Sequence, residues 1–156
     1  MRLTNYSDYA LRTLMYLAVM PDATKLATIS EIADSYQISK SHLTKVIHQL
    51  AQLGFIESVR GKNGGIRLGR PAEQINLGDV VRQTEPDFDV VPCFEVMNKT
   101  ADAGQKERIG APCAIQPACR LKRIFREATI AFIAVMDGYT LADIVQNEQM
   151  LWELLK

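Results

Sequence analysis

Three cysteines carry most of the reactive chemistry in this chain of 156 residues: Cys93, Cys113 and Cys119, spaced Cys-x19-Cys-x5-Cys. An odd number of thiols argues against a framework of structural disulfides and leaves three readings open: a metal or cluster site, a redox sensor, or inert burial. Pro92, Pro112 and Pro117 stiffen the backbone beside them, and Arg120, Lys122 and Arg123 bring positive charge that favours thiolates. Three thiolates with one further ligand suit an iron–sulfur cluster, whereas a structural zinc site usually closes with Cys or His, and no histidine follows His48. A second set of side chains suits a different task. Lys40, Ser41, His42, Thr44, Lys45 and Gln49 are short polar, amide or cationic groups of the kind that reach base edges and phosphates in a major groove. Arg60, Lys62 and Asn63, set among Gly61, Gly64 and Gly65, offer charge and free backbone N–H groups to phosphate or a minor groove.

The elements that must position these groups follow from local pattern. Thr28 and Glu31 form a capping-box signature that starts a helix over 29–36. Gln37, Ile38 and Ser39 make a tight turn, and Ser39 can cap a second helix with Leu43, Val46, Ile47, Leu50 and Leu53 on one buried stripe, leaving the polar groups on the other face. Gly54 ends that helix. Residues 55–59 and 66–68 read as two strands joined by the glycine-rich turn, so a helix-turn-helix and a wing occur in succession. Ahead of them, Leu11, Leu14, Met15, Ala18 and Val19 predict a helix from about Asn5 to Met20. On its polar side Asp8 and Arg12 stand four apart, and Asp8 read alone is a surface carboxylate.

After the wing, Asn76 and Asp79 start a short helix that ends near Thr84, before Glu85-Pro86. From Asp87 to Pro112 the apolar period disappears and a loop is expected. Pro117 can open a long helix to about Asp137, on which Leu121, Phe125, Ala128, Phe132 and Val135 form a heptad seam of the kind two partner helices bury. Thr140 with Asp143 caps a last helical segment whose apolar residues close over the first domain. The expected organisation is therefore mainly α with a small two-stranded β wing. A winged helix-turn-helix domain spans 1–84, a cysteine-bearing loop 85–116, and a dimerisation helix with a C-terminal segment 117–156.

Net charge is zero, yet the halves differ. Residues 1–70 hold nine basic and five acidic side chains, a net of +4, and the remainder hold nine and thirteen, a net of −4. A basic winged half is the electrostatic footprint of DNA binding, while overall neutrality makes affinity depend on specific contacts and dimerisation. No apolar run is long enough to span a bilayer and the first residues lack the apolar core of a signal peptide, so a cytoplasmic protein is expected. No nucleophile–base pair or nucleotide-binding glycine motif is present, which speaks against an enzyme.

The motifs Leu3-Thr4, Asp8-Tyr9-Ala10-Leu11-Arg12, the run from Arg60 to Leu68, and Pro117-Ala118-Cys119-Arg120-Leu121 resemble the NsrR/IscR family of iron–sulfur winged-helix regulators over nearly the whole chain. Within the family the chain is most similar to the nitric-oxide-sensing NsrR branch, whose members are dimeric repressors of nitrosative-stress genes. The resemblance implies a homodimeric repressor that binds a double-stranded, near-palindromic operator and carries a [2Fe–2S] or [4Fe–4S] cluster, with nitric oxide as its signal. It also implies that Cys93, Cys113 and Cys119 are ligands and that Asp8 of the partner subunit completes the set. Two departures stand out: no histidine accompanies the cysteines as in the IscR branch, and Phe94 to Pro112 intervene where the family usually has a few residues. An alternative within the same fold is a regulator that senses cluster status or oxidation through Cys113 and Cys119 without specificity for nitric oxide.

Overall fold

The computed structural model describes residues 2–22, 24–91 and 113–156. Helix α1 spans Asn5–Ala18 with Val19 as its C-cap, and so stops short of the expected reach to Met20. Its start is capped by Thr4, whose Oγ1 accepts from the Ser7 N–H at 3.3 Å. Helix α2, Ile29–Tyr36, has the expected capping box: the Glu31 N–H donates to Thr28 Oγ1 and the Thr28 N–H to Glu31 Oε2. Gln37, at φ 53°, closes α2 in the left-handed conformation. Helix α3, Lys40–Gln52, buries Leu43, Val46, Ile47 and Leu50 as its spacing requires. Ser39 occupies the N-cap position without capping, since its hydroxyl lies 2.9 Å from that of Ser41 instead.

Strands β1, Ile56–Val59, and β2, Gly65–Leu68, pair antiparallel with Ile56 opposite Leu68 and Val59 opposite Gly65. A further backbone pairing was not legible in the sequence. Ala27 bridges Ile66 through two hydrogen bonds of 2.9 and 2.8 Å, attaching the segment before α2 to the outer edge of the wing. A Cβ at Gly65 would stand 2.6 Å from the Ala27 carbonyl, so this glycine admits a neighbouring backbone rather than loosening a turn.

Helix α4, Leu77–Thr84, is capped by Asn76, whose Oδ1 accepts from the Asp79 N–H. Helix α5, Arg120–Asp137, starts three residues later than Pro117 predicts. Residues Gln116–Ala118 form a 3-10 turn whose i→i+3 bonds occupy the groups that would have begun the α-helix, and Cys119 is extended. The last segment is two helices, α6 over Leu141–Ile144 and α7 over Glu148–Leu155. The expected loop lies beyond Val91 and up to residue 112 outside the described residues.

The core forms where α1 meets α3, α4 and α6 and where α2 meets α3. Leu14, Ile32, Leu43, Leu50, Ile75, Val80 and Leu141 are fully buried there, and each such side chain stabilises the fold by about 1.5–3 kcal/mol relative to exposure. Among the described residues, Ser7, Thr13 and Thr84 are the buried polar ones, and each has a partner. Thr84 Oγ1 donates to Ser7 Oγ at 2.8 Å, and Thr13 Oγ1 donates to the Tyr9 carbonyl at 2.7 Å. Small hydroxyls at these places let α1 and α4 approach closely.

The end of α5 is fastened to α4. Arg82 donates through both terminal nitrogens to the Asp137 carboxylate at 2.7 and 2.5 Å, and Asn76 Nδ2 donates to the Asp137 carbonyl at 2.7 Å. Hydrogen bonding to Arg82 holds the Asp137 carboxyl below its ordinary value, and the same contact raises Arg82. Gly78 lies beneath this pair, and a Cβ there would run into Asp137 Oδ1. Alanine in a helix interior ordinarily gains about 1 kcal/mol over glycine. Gly78→Ala is therefore expected to give no stabilisation in the native sequence but to recover about 1 kcal/mol in an Asp137→Ala background, by denaturant unfolding of the four members of the cycle. A full gain in the native background would show that the contact does not constrain α4.

Candidate nucleic-acid interface and cysteine site

The solvent face of α3 is built by the stripe that buries its other face. Lys40, Ser41, His42, Thr44, Lys45 and His48 are exposed on it. Their local bonds divide them. Thr44 Oγ1 donates back to the Lys40 carbonyl at 2.8 Å, and Lys40 Nζ donates across to Ser30 Oγ on α2 at 2.6 Å. Among the described residues His42 and Lys45 make no side-chain hydrogen bond. Gln49 is different: it is half-buried and its Nε2 donates to the Gln83 carbonyl at 2.5 Å, tying α3 to the end of α4. Tyr6 on α1 makes a similar tie, its hydroxyl donating to the Lys45 carbonyl at 3.0 Å. Sequence spacing could not reveal either bond, because both partners are backbone carbonyls on distant elements.

The wing presents Arg60, Lys62 and Asn63 as exposed residues around a turn closed by the Gly64 N–H donating to the Gly61 carbonyl at 3.0 Å. Across the strands, Arg67 pairs with Glu57 at 2.7 Å, so this arginine is committed to the hairpin. A helix face and a wing tip, both basic and both exposed, can engage a groove and the adjoining backbone of one duplex.

Of the sequence candidates for a metal site, Cys113 is exposed and Cys119 is half-buried, and both are free thiols. They flank the 3-10 turn, and Cys119 is the N-cap of α5. The first turn of this 18-residue helix has no acidic residue and carries Arg120, Lys122 and Arg123. Helix dipole and side chains thus concentrate positive potential where the sulfurs sit, which suits the anionic donor set of an iron–sulfur cluster. Cys93 lies outside the described residues. Among the described residues no three His, Cys, Asp or Glu side chains are grouped to hold a metal within the protomer.

Asp8 stands apart from the two cysteines on the polar side of α1. Its carboxylate is 44% exposed and paired with Arg12 at 2.9 Å. Arg12 Cζ in turn lies 5.5 Å from the centre of the Tyr36 ring, at the end of α2. Burial pushes the Tyr36 phenol up to about 12, with Arg12 acting in the opposite sense. Nearby, Thr4 donates from its N–H and its hydroxyl to Glu85 Oε1 at 2.8 and 3.0 Å, joining the start of α1 to the segment that leads toward the cysteines. A groove of about 420 Å³ opens beside this contact, lined by Leu3, Thr4, Phe88, Val90, Thr129 and Phe132.

The expected seam on α5 divides between two faces. Phe125 and Phe132 are half-buried, Phe132 in the groove of its own protomer, whereas Leu121, Ala128 and Val135 face solvent. Ile124 and Ala131 are exposed as well.

A profile of the Rrf2 family, described as iron-dependent transcriptional regulators, matches residues 3–147. The chain is 48% identical over 156 residues to the HTH-type transcriptional regulator NsrR of Bacillus subtilis, covering 100% of this chain and 98% of the relative. It is 46% identical to that of Bacillus licheniformis, covering 99% of each. Among solved structures, CymR, the global cysteine regulator of B. subtilis, superposes with a TM-score of 0.67 over 94% of this chain and 98% of that one, at 22% identity, a likeness of fold.

Because Gln49 spans to the Gln83 carbonyl, Gln49→Ala is expected to lower folding stability by about 0.5–1.5 kcal/mol while leaving base preference intact. Chemical denaturation together with binding to a panel of duplexes checks both. A changed preference at unchanged stability would make Gln49 a base reader.

Proposed function

The chain belongs to the Rrf2 family of iron-dependent transcriptional regulators, and from that premise we propose that it is a homodimeric repressor whose operator binding is governed by an iron–sulfur cluster responsive to nitric oxide. It is a DNA-binding transcriptional regulator, not an enzyme. The observation that carries the finer reading is the pair Cys113 and Cys119 at the electropositive start of α5, in a chain similar to NsrR regulators over its whole length. In this reading 1–84 reads DNA, 85–116 supplies the sensing segment and 117–156 pairs the protomers. The protein acts in the cytoplasm, and no helix among the described residues is long and apolar enough to cross a membrane.

Lys40, Ser41, His42, Thr44 and Lys45 enter the major groove, and Arg60, Lys62 and Asn63 contact phosphate or minor groove. Two recognition helices in a dimer must meet half-sites about 34–36 Å apart, so any change in how protomers are joined is felt at the DNA. Cys93, Cys113 and Cys119 would hold the cluster, with Asp8 of the partner subunit as the fourth ligand. When bound, such a group supplies iron able to react with nitric oxide. The protein's part is to place thiolates beside α5 and to offer a carboxylate from α1. A carboxylate is a harder donor than the thiolates it would join. Releasing Asp8 from the partner returns it to Arg12, its neighbour in the protomer, and loosens the cross-subunit tie.

Pairing is supported by the exposed face of α5. Leu121, Ile124, Ala128, Ala131 and Val135 follow a 3-4-3-4 spacing and all face solvent, with Leu121, Ile124 and Val135 more than half exposed. This seam keeps Leu121, Ala128 and Val135 of the expected set and replaces Phe125 and Phe132, which serve the protomer. Val135→Glu is expected to yield a folded monomer in sedimentation, because a glutamate in the seam would be buried without a partner. Phe132→Glu should instead weaken the protomer itself. An intact dimer for Val135→Glu would move the interface off this face.

Anaerobically purified protein should show visible absorption, bind its operator and release it on addition of nitric oxide. Cys113→Ser or Cys119→Ser should abolish both the absorption and the response, while Asp8→Ala should retain absorption with altered reactivity. Tight operator binding by cluster-free protein, insensitive to nitric oxide, would overturn this reading.

A further inference from the structure

Arg70 follows the wing and belongs by composition to the positive charge of the DNA-binding half. Its guanidinium, however, turns back onto the exit of the recognition helix. Nη2 donates to the Leu53 carbonyl at 2.9 Å and Nε to the Gly54 carbonyl at 3.2 Å, while Cζ stands 4.6 Å from the centre of the Phe55 ring. Leu53 is the C-cap of α3 and Gly54, at φ 71°, turns the chain out of it. Carbonyls at a helix end lack intrahelical partners and attract a cation, and the flat aromatic face fixes the plane of the guanidinium fork. The residue before Arg70 makes a second contact at the same place: the Gly69 N–H donates to the Phe55 carbonyl at 2.9 Å. The exit of the helix and the exit of the wing are thus joined by backbone, by a two-pronged side chain and by a stacked ring.

We propose that Arg70 is a positioning residue that sets the angle between the recognition helix and the wing, and thereby operator discrimination, without itself contacting phosphate. This rests on the DNA-reading function. The lever is short but steep: a four-residue strand is about 13 Å long, so a rotation of about 10° at the base moves the wing tip by about 2 Å, more than a hydrogen bond tolerates. A lysine keeps the charge but has neither the fork nor the stacking plane.

The test starts from a duplex enriched from a random pool by the wild-type protein and a scrambled duplex of equal length. Arg70→Lys and Arg70→Gln are each expected to lose about tenfold or more on the enriched duplex and less than about twofold on the scrambled one, with cooperative thermal unfolding retained and the salt slope on scrambled DNA unchanged. Wild-type affinity for Arg70→Lys, or an equal loss on both duplexes with a slope shallower by about one in Arg70→Gln, would make Arg70 a phosphate contact and overturn the proposal. Loss of cooperative unfolding in both variants would assign Arg70 to stability alone and equally overturn it. If the wild-type protein enriches no sequence, the DNA-reading function fails first, a result distinct from either variant's.

Discussion

Burial of one side of α1 against α3 and α4 is the constraint from which the other relationships in this molecule follow. Ala10 and Leu14 are completely excluded from solvent, and the helix has contacts with α3, α4, α6, α7 and the second wing strand. Such a helix cannot rotate or slide without exposing apolar area on several partners at once, each fully buried side chain being worth about 1.5–3 kcal/mol. Its opposite side is left free to carry Asp8 and Arg12. The same rigid element therefore supports α3 from within and presents the Asp8 carboxylate proposed above as a ligand.

Helix α3 is held on its inner side so that its outer side can remain polar. Leu43, Val46, Ile47 and Leu50 supply the apolar contact, and Tyr6, Gln49 and Arg70 each donate a side-chain hydrogen bond to a backbone carbonyl on a separate element. These are directional where hydrophobic burial is not, and they limit rotation about the helix axis that packing alone would permit. Composition counts Arg67 and Arg70 in the positive charge of the winged half, yet Arg67 closes the hairpin and Arg70 closes the helix end. The charge left for nucleic acid is smaller and more localised, consistent with a neutral chain whose affinity comes from fitted contacts.

Helix α5 has two apolar faces with different uses. One is half-buried through Phe125, Thr129, Phe132 and Met136, and the other exposes Leu121, Ile124 and Val135. The helix is fixed at its far end by the Arg82–Asp137 pair and by Asn76, while its near end begins at Cys119. The anchored end is held by α4, an element continuous with the core of the winged half. Leu141 and Val145 join that same core after the helix, so the C-terminal segment and the winged half share one hydrophobic interior.

The order and type of the main elements were legible from local signals. Capping at Thr28, Asn76 and Thr140, the apolar stripe of α3 and the glycine-rich hairpin are short-range consequences of backbone satisfaction and periodicity, and they depend on residues within a few positions of one another. For the same reason the chain announces a mainly helical winged fold, a basic DNA-facing half and thiols gathered near a long helix. Tertiary structure decided the rest. Whether Gln49 faces a groove or the Gln83 carbonyl, whether Arg70 serves phosphate or a helix end, and which side of α5 carries the free apolar stripe all depend on elements far apart in sequence. A doubly apolar helix offers two seams with the same period, and periodicity cannot choose between them. Tertiary placement makes that choice: Phe132 is half-buried in a groove it lines with Leu3 and Phe88 of its own protomer, whereas Leu121, Ile124 and Val135 are left facing solvent.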